Sequence, residues 1–183
     1  MRRYILTGAP GAGKTTLLRY LEDRGYCVVE EAATDIIALE QQKGVQEPWE
    51  EISFIEKILN LQIRRQTQAL SAPGEVQFFD RSPLDTYALY QYLGYPVSPE
   101  LLEKIKAAQE AGHYEREVFF IENLGFCEPT VARRITYEET LRFEKIHEDV
   151  FCEWGYRCLR IPPQPMPERA LALLSHLEPI GSD

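Results

Sequence analysis

Residues 8–15 read Gly-Ala-Pro-Gly-Ala-Gly-Lys-Thr and fit the spacing G-x-x-x-x-G-K-[ST]. The types and spacing predict phosphate binding. Glycines let successive backbone N–H groups curl inward toward phosphate oxygens. Lys14 adds a point charge near the β- and γ-phosphates, and the Thr15 hydroxyl is placed to ligate Mg²⁺. The helix that follows points the positive end of its dipole at the same anion. The predicted ATP-contacting set is therefore Gly8, Ala9, Pro10, Gly11, Ala12, Gly13, Lys14, Thr15 and Thr16, with Lys14 also catalytic. A Gly-rich turn that binds nothing is the bland alternative. It is disfavoured because an apolar run precedes the loop and an amphipathic one follows it.

Four further places carry side chains suited to the same chemistry. Asp80 follows an apolar run and is a candidate second Mg²⁺ ligand beside Thr15; a plain helix cap is its alternative, although Ser82 suits that role better. Arg81 is placed to stabilise a transferring phosphoryl group or hold an anionic substrate group, rather than forming a surface ion pair. An Arg after Asp80, where mechanical ATPases commonly place a Glu, points away from a hydrolytic motor. Glu31 is a candidate base for an acceptor hydroxyl, with Glu30 the alternative and a solvated helix cap the simpler role for both. Arg133 and Arg134 lie in a polar stretch, where a loop bearing arginines can close over a γ-phosphate.

These residues need elements to position them. Five apolar runs read as strands: Arg3–Thr7, Tyr26–Val29, Val76–Phe79, Val118–Ile121 and Arg157–Ile161. Helical patterns are predicted over 15–24, 32–42, 50–70, 83–93, 99–111, 137–154 and 168–177. Residues 44–48 and 162–167 read as loops, and the last six residues as fraying. Strands alternating with helices predict an α/β fold of three layers, α/β/α, around a five-stranded parallel sheet covered on both faces. Ligands then bind outside the carboxyl ends of the strands. Asp80, Glu31 and the Gly8–Thr15 loop all fall at such ends.

Composition narrows the function classes. At 183 residues with net charge −9, the chain reads as a single domain over 1–183. No Lys/Arg-rich run exists, so no nucleic-acid partner is expected. No segment approaches the roughly 20 apolar residues of a membrane span. Cys27, Cys127, Cys152 and Cys158 lack metal or redox spacing, and His113, His147 and His176 are scattered, which fits a reducing cytoplasm. The tyrosines between 87 and 114 read as packing or surface residues.

The Gly8–Thr15 loop, the strand end Val29-Glu30-Glu31-Ala32, the triplet Asp80-Arg81-Ser82 and the segment near Arg133 together resemble the P-loop nucleoside and nucleotide kinase group. Within it the chain is similar to the AAA-type, nicotinamide-riboside-kinase-like ATPases. The resemblance covers nearly the whole chain, but only the first loop is a sharp motif. It implies a P-loop NTPase fold and a Mg-ATP site. In related deoxynucleoside kinases a Glu–Arg–Ser triplet follows the third strand; here Asp80 stands in place of its Glu. The function expected is phosphoryl transfer from ATP to a nucleoside- or nucleotide-like acceptor. The alternatives are an NTPase or nucleotide switch acting on protein partners, and a nucleotide-binding module with little turnover. The absence of an N-K-x-D motif disfavours a guanine-specific switch.

Overall fold

The computed structural model of the chain describes residues 1–71, 74–125 and 136–177. Five strands form one sheet: β1 (Arg2–Thr7), β2 (Cys27–Val29), β3 (Val76–Asp80), β4 (Glu117–Ile121) and β5 (Arg157–Ile161), in the order β2-β3-β1-β4-β5. Every pairing is parallel. The crossovers carry α1 (Lys14–Glu22), α2 (Ala33–Gln42), α3 (Ile52–Ala69), α4 (Pro83–Leu93), α5 (Pro99–Glu110) and α6 (Tyr137–Glu153), and α7 (Met166–Leu174) follows β5.

Strand alternation divides the apolar residues between two faces. Tyr4, Leu6, Phe78, Phe119 and Ile121 pack with Leu17, Leu18 and Leu21 of α1 and with Ala170 and Leu173 of α7. Ile5, Phe79 and Val118 point the other way. They pack with Ile55 and Leu59 of α3, Leu84 and Ala88 of α4, Leu101 of α5 and Val150 of α6. All five residues of the penultimate strand β3 are buried, because helices cover both faces. This is the three-layer α/β/α arrangement that the alternation of runs predicts.

Local chemistry sets several boundaries. Ser82 caps α4 by a reciprocal pair with Asp85, and Thr136 caps α6 by the same device with Glu139. Gly94 ends α4 in the left-handed region at φ 73°. Three expected spans differ. Residues 48–50 form a 3₁₀ turn, and α3 starts only at Ile52, because Glu51 is extended (φ −100°, ψ 132°). The last helix begins at Met166, inside the expected rigid loop; Pro167 is tolerated in a first turn, where its missing N–H is not needed. It ends at Leu174 rather than Leu177.

Parallel pairing brings all five carboxyl strand ends to one edge of the sheet. Asp80 is in register with Leu6, two residues before the start of the phosphate-binding loop motif at Gly8. Among the described residues no helix is long and apolar enough to cross a membrane.

Candidate functional site at the strand ends

The loop between β1 and α1 is built on left-handed glycines: Gly8 at φ 123°, Gly11 at 84° and Gly13 at 85°. At Gly8 a Cβ would lie 2.4 Å from the Ile121 carbonyl oxygen, so only glycine lets the loop pass the end of β4. Lys14 folds back across the loop. Its Nζ donates to the Gly8 and Ala9 carbonyls at 3.1 and 2.8 Å. Burial and the neighbouring Arg81 lower its pKa to about 8, with Asp80, Glu31 and Asp85 pulling the other way.

Asp80 is 1% exposed at the tip of β3. Its Oδ2 accepts from Thr15 Oγ1 at 3.0 Å, whereas the buried Oδ1 has no hydrogen-bond partner. Burial and the charge of Glu31 push its pKa up to about 6. The Thr15 hydroxyl beside the Asp80 carboxylate, whose other oxygen is orphaned, gives a set of hard oxygens that fits Mg²⁺. No cluster of three or more His, Cys, Asp or Glu suited to a metal exists among the described residues.

Arg81 is a non-glycine residue in the left-handed region, at φ 70°. Such a conformation costs on the order of 1–3 kcal/mol and persists where surroundings over-determine it. Here they do. Its N–H donates to Leu6 O at 3.1 Å, and its own carbonyl accepts from Gln62 Nε2 at 3.1 Å. The side chain turns into the cleft, with Nε donating to Glu31 Oε1 at 2.7 Å and Nη1 to Asp85 Oδ1 at 3.3 Å. Glu31, Asp85 and Asp80 raise the guanidinium pKa against the opposing effect of burial. Burial would raise the Glu31 pKa, but Arg81 and Lys14 hold its carboxyl below the ordinary range. Glu30 instead is exposed. Arg65 of α3 fixes this strand end by donating to the Glu30 carbonyl at 3.0 Å, and also to the Glu31 carbonyl and the Asp35 carboxylate.

Asp85 joins the two halves of the site. Its Oδ1 also accepts from Thr7 Oγ1 at 2.6 Å, and its Oδ2 from Ser82 N and Oγ at 2.8 and 3.0 Å. Behind it lies His147 of α6, fully buried, with Nε2 3.7 Å from Asp85 Oδ1 and Nδ1 2.9 Å from the Phe143 carbonyl. Burial and Arg81 hold this imidazole well below its usual pKa, in the neutral form. Its Nδ1 then carries the proton donated to Phe143.

One cavity of about 700 Å³ is lined by Gly11, Gly13, Lys14, Thr15 and Thr16 of the loop and by Glu31, Arg81 and Asp85. The apolar side chains of Ile37, Trp49, Phe54, Ile58, Leu89 and Phe143 line the same chamber, with Tyr92 and Glu139 adding polar groups.

A family model described as an AAA domain matches residues 3–169. The chain belongs to this AAA-domain family. Solved structures similar to it include deoxyadenosine kinase from M. mycoides with products dCMP and a flexible dCDP bound (TM-score 0.65, 14% identity, covering 94% of this chain and 97% of that one). The same enzyme with bound dATP gives a TM-score of 0.61 at 14% identity, over 94% and 97% of the two chains. NadR protein in complex with NAD and AMP-PNP gives 0.67 at 15% identity, over 95% of this chain but 49% of that one. No curated protein matches the sequence. The fold of this AAA-domain protein is thus the P-loop kinase fold of the deoxyadenosine kinase structures.

The structure brings Gly8–Thr16, Glu31, Asp80 and Arg81 of the expected set together. Arg133, with Arg134 and Cys127, lies outside the described residues. Sequence reasoning missed Asp85, His147, the Arg65 brace and the apolar chamber. Of these only Asp85 carried a local signal, the S-x-x-D spacing after Arg81. Tyr92, which reads in sequence as an ordinary packing tyrosine, lines the chamber.

Proposed function

We propose that this protein is a Mg-ATP-dependent phosphotransferase that moves the γ-phosphoryl group of ATP to a hydroxyl on a nucleoside- or nucleotide-like small molecule. The observation that carries the reading is the mixed lining of the cavity. A phosphate-binding loop alone suits any NTPase, but here the same cavity, about 700 Å³ in all, is also lined by Glu31, Arg81 and six apolar side chains, which suits a second substrate beside the phosphates. The ligands of the similar structures, dCMP, dCDP, dATP, NAD and AMP-PNP, support the same reading.

In this reading the backbone N–H groups of 11–16 and Lys14 hold the β- and γ-phosphates. Thr15 Oγ1 and the Asp80 carboxylate would hold Mg²⁺, which supplies charge neutralisation between the phosphate oxygens when bound. Arg81 stabilises charge on the transferring group and, through its 2.7 Å bond, orients Glu31. Glu31 is ionised at neutral pH and lines the cavity beside Arg81. There it orients the acceptor hydroxyl and takes its proton. A largely dissociative transfer asks little basicity of that group, so its depressed pKa is compatible with the role. An arginine of the 133–134 pair is assigned the role of a further cation for the γ-phosphoryl group. The protein works as one domain in the cytoplasm and, with a net charge of −9, needs no nucleic-acid partner.

The test is ADP release from Mg-ATP across a library of nucleosides, nucleotides and vitamins, with mass spectrometry of products. Acceptor-dependent ADP release with a product heavier by one phosphoryl group is expected. ADP release at the same rate with and without every acceptor would mean an NTPase and overturn the proposal.

A further inference from the structure

Arg169 sits on α7, far in sequence from the phosphate loop, and is 1% exposed. Its hydrogen-bond acceptors among the described residues are three backbone carbonyls. Nη1 donates to Ala12 O at 2.6 Å, Nη2 to Glu122 O at 2.5 Å and Nε to Pro162 O at 3.0 Å. These lie in the phosphate loop, just past β4 and just past β5. A buried cation that meets dipoles rather than a carboxylate is costly to desolvate. Burial indeed lowers its pKa from the ordinary arginine value, with the charge of Glu122 partly opposing.

The Ala12 contact has a direct consequence for the loop. A trans peptide is planar, and its C=O and N–H point in opposite directions. Holding the Ala12 oxygen outward, on the guanidinium, therefore fixes the Gly13 N–H of the same peptide on the inward side, where the glycine nest turns its donors. The bond also polarises that peptide and makes its N–H a stronger donor. Gly13 is adapted to the arrangement: a Cβ there would lie 3.1 Å from Arg169 Nη1, and its φ of 85° already favours glycine.

We propose that Arg169 is a positioning residue for phosphate binding, which aims and polarises the Gly13 N–H through the Ala12 carbonyl and ties the loop to the ends of β4 and β5. The proposal rests on the nucleotide reading above, because it needs the loop to bind an anion. It makes no contact with substrate itself.

The test uses the full chain and two probes, ADP and inorganic pyrophosphate, titrated by calorimetry into wild type, Arg169→Gln and Arg169→Lys. Lysine retains the buried charge but loses the three-way fork. Both variants are expected to bind both probes about tenfold more weakly, the scale of one charge-assisted hydrogen bond. The Gly13 amide resonance in ¹⁵N–¹H spectra should move upfield in the free protein, which a role confined to docking α7 would not cause. Should Arg169→Gln fail to fold, Arg169→Lys carries the test alone. Wild-type binding that is matched within twofold by a folded Arg169→Lys, with an unmoved Gly13 amide, would overturn the proposal and leave the nucleotide reading standing. A wild type that binds neither probe would overturn both.

Discussion

Replacing Asp80 by Asn should make the free protein more stable as pH rises, while removing its metal-dependent activity. The carboxyl is buried at the end of β3, with one oxygen unpartnered and Glu31 nearby, and its pKa is raised from 3.8 to about 6. The folded state therefore binds this proton more tightly than the unfolded chain does. Between about pH 4 and 6 the folded state holds more protons, so the unfolding free energy falls as pH rises. A shift of about two units, at 1.36 kcal/mol each, makes this loss about 3 kcal/mol once pH exceeds 6. Asn can still accept from Thr15 Oγ1 but has no proton to lose. The stability of Asp80→Asn minus that of wild type should thus climb by about 2–3 kcal/mol from pH 4 to pH 7.5. Any constant cost of fitting the amide cancels in that slope. Urea denaturation at half-unit pH intervals measures it, and turnover at saturating Mg²⁺ is followed in parallel. A flat difference across the range, or one that falls with pH, would refute the account of Asp80 as a desolvated acid. Near-wild-type turnover would reduce it to a structural residue. Stabilisation joined to inactivity is the signature of a group kept for function against stability.

Lys14→Ala should lower turnover at least about a hundredfold, the scale of one preorganised charge contact; unchanged ADP affinity and turnover would remove Lys14 from the site. Arg81→Lys should lower kcat by about ten- to a hundredfold with little change in melting temperature, because an ammonium cannot span both Glu31 and Asp85 as the guanidinium does. Steady-state kinetics with an identified acceptor reads this directly. Glu31→Gln should lower kcat by about a hundredfold or more and spare ATP binding, whereas Glu30→Gln should behave as wild type. Equal effects of the two changes would show that the second strand supplies no base.

The phosphate loop was legible because its function needs several residues at fixed local spacing. The strand before it and the helix after it were legible because apolar periodicity reports burial over a few residues. The position of Asp80 followed too, since a parallel sheet brings every carboxyl strand end to one edge. Tertiary structure alone chose between Glu30 and Glu31. Adjacent residues at a strand end face opposite ways, and the ion pair with Arg81, fifty positions away in the chain, shows which carboxylate turns into the cleft. The apolar chamber is assembled from α2, the 3₁₀ turn at 48–50, α3, α4 and α6, whose individual patterns look like ordinary core faces. His147 and Arg169 are single polar residues on amphipathic helices, and nothing in their local sequence separates them from surface residues. Only helix packing buries one behind Asp85 and the other, 157 residues downstream, against the Ala12 carbonyl. Short-range periodicity encodes which face of an element is buried; the strand order and helix docking decide what each buried polar group meets.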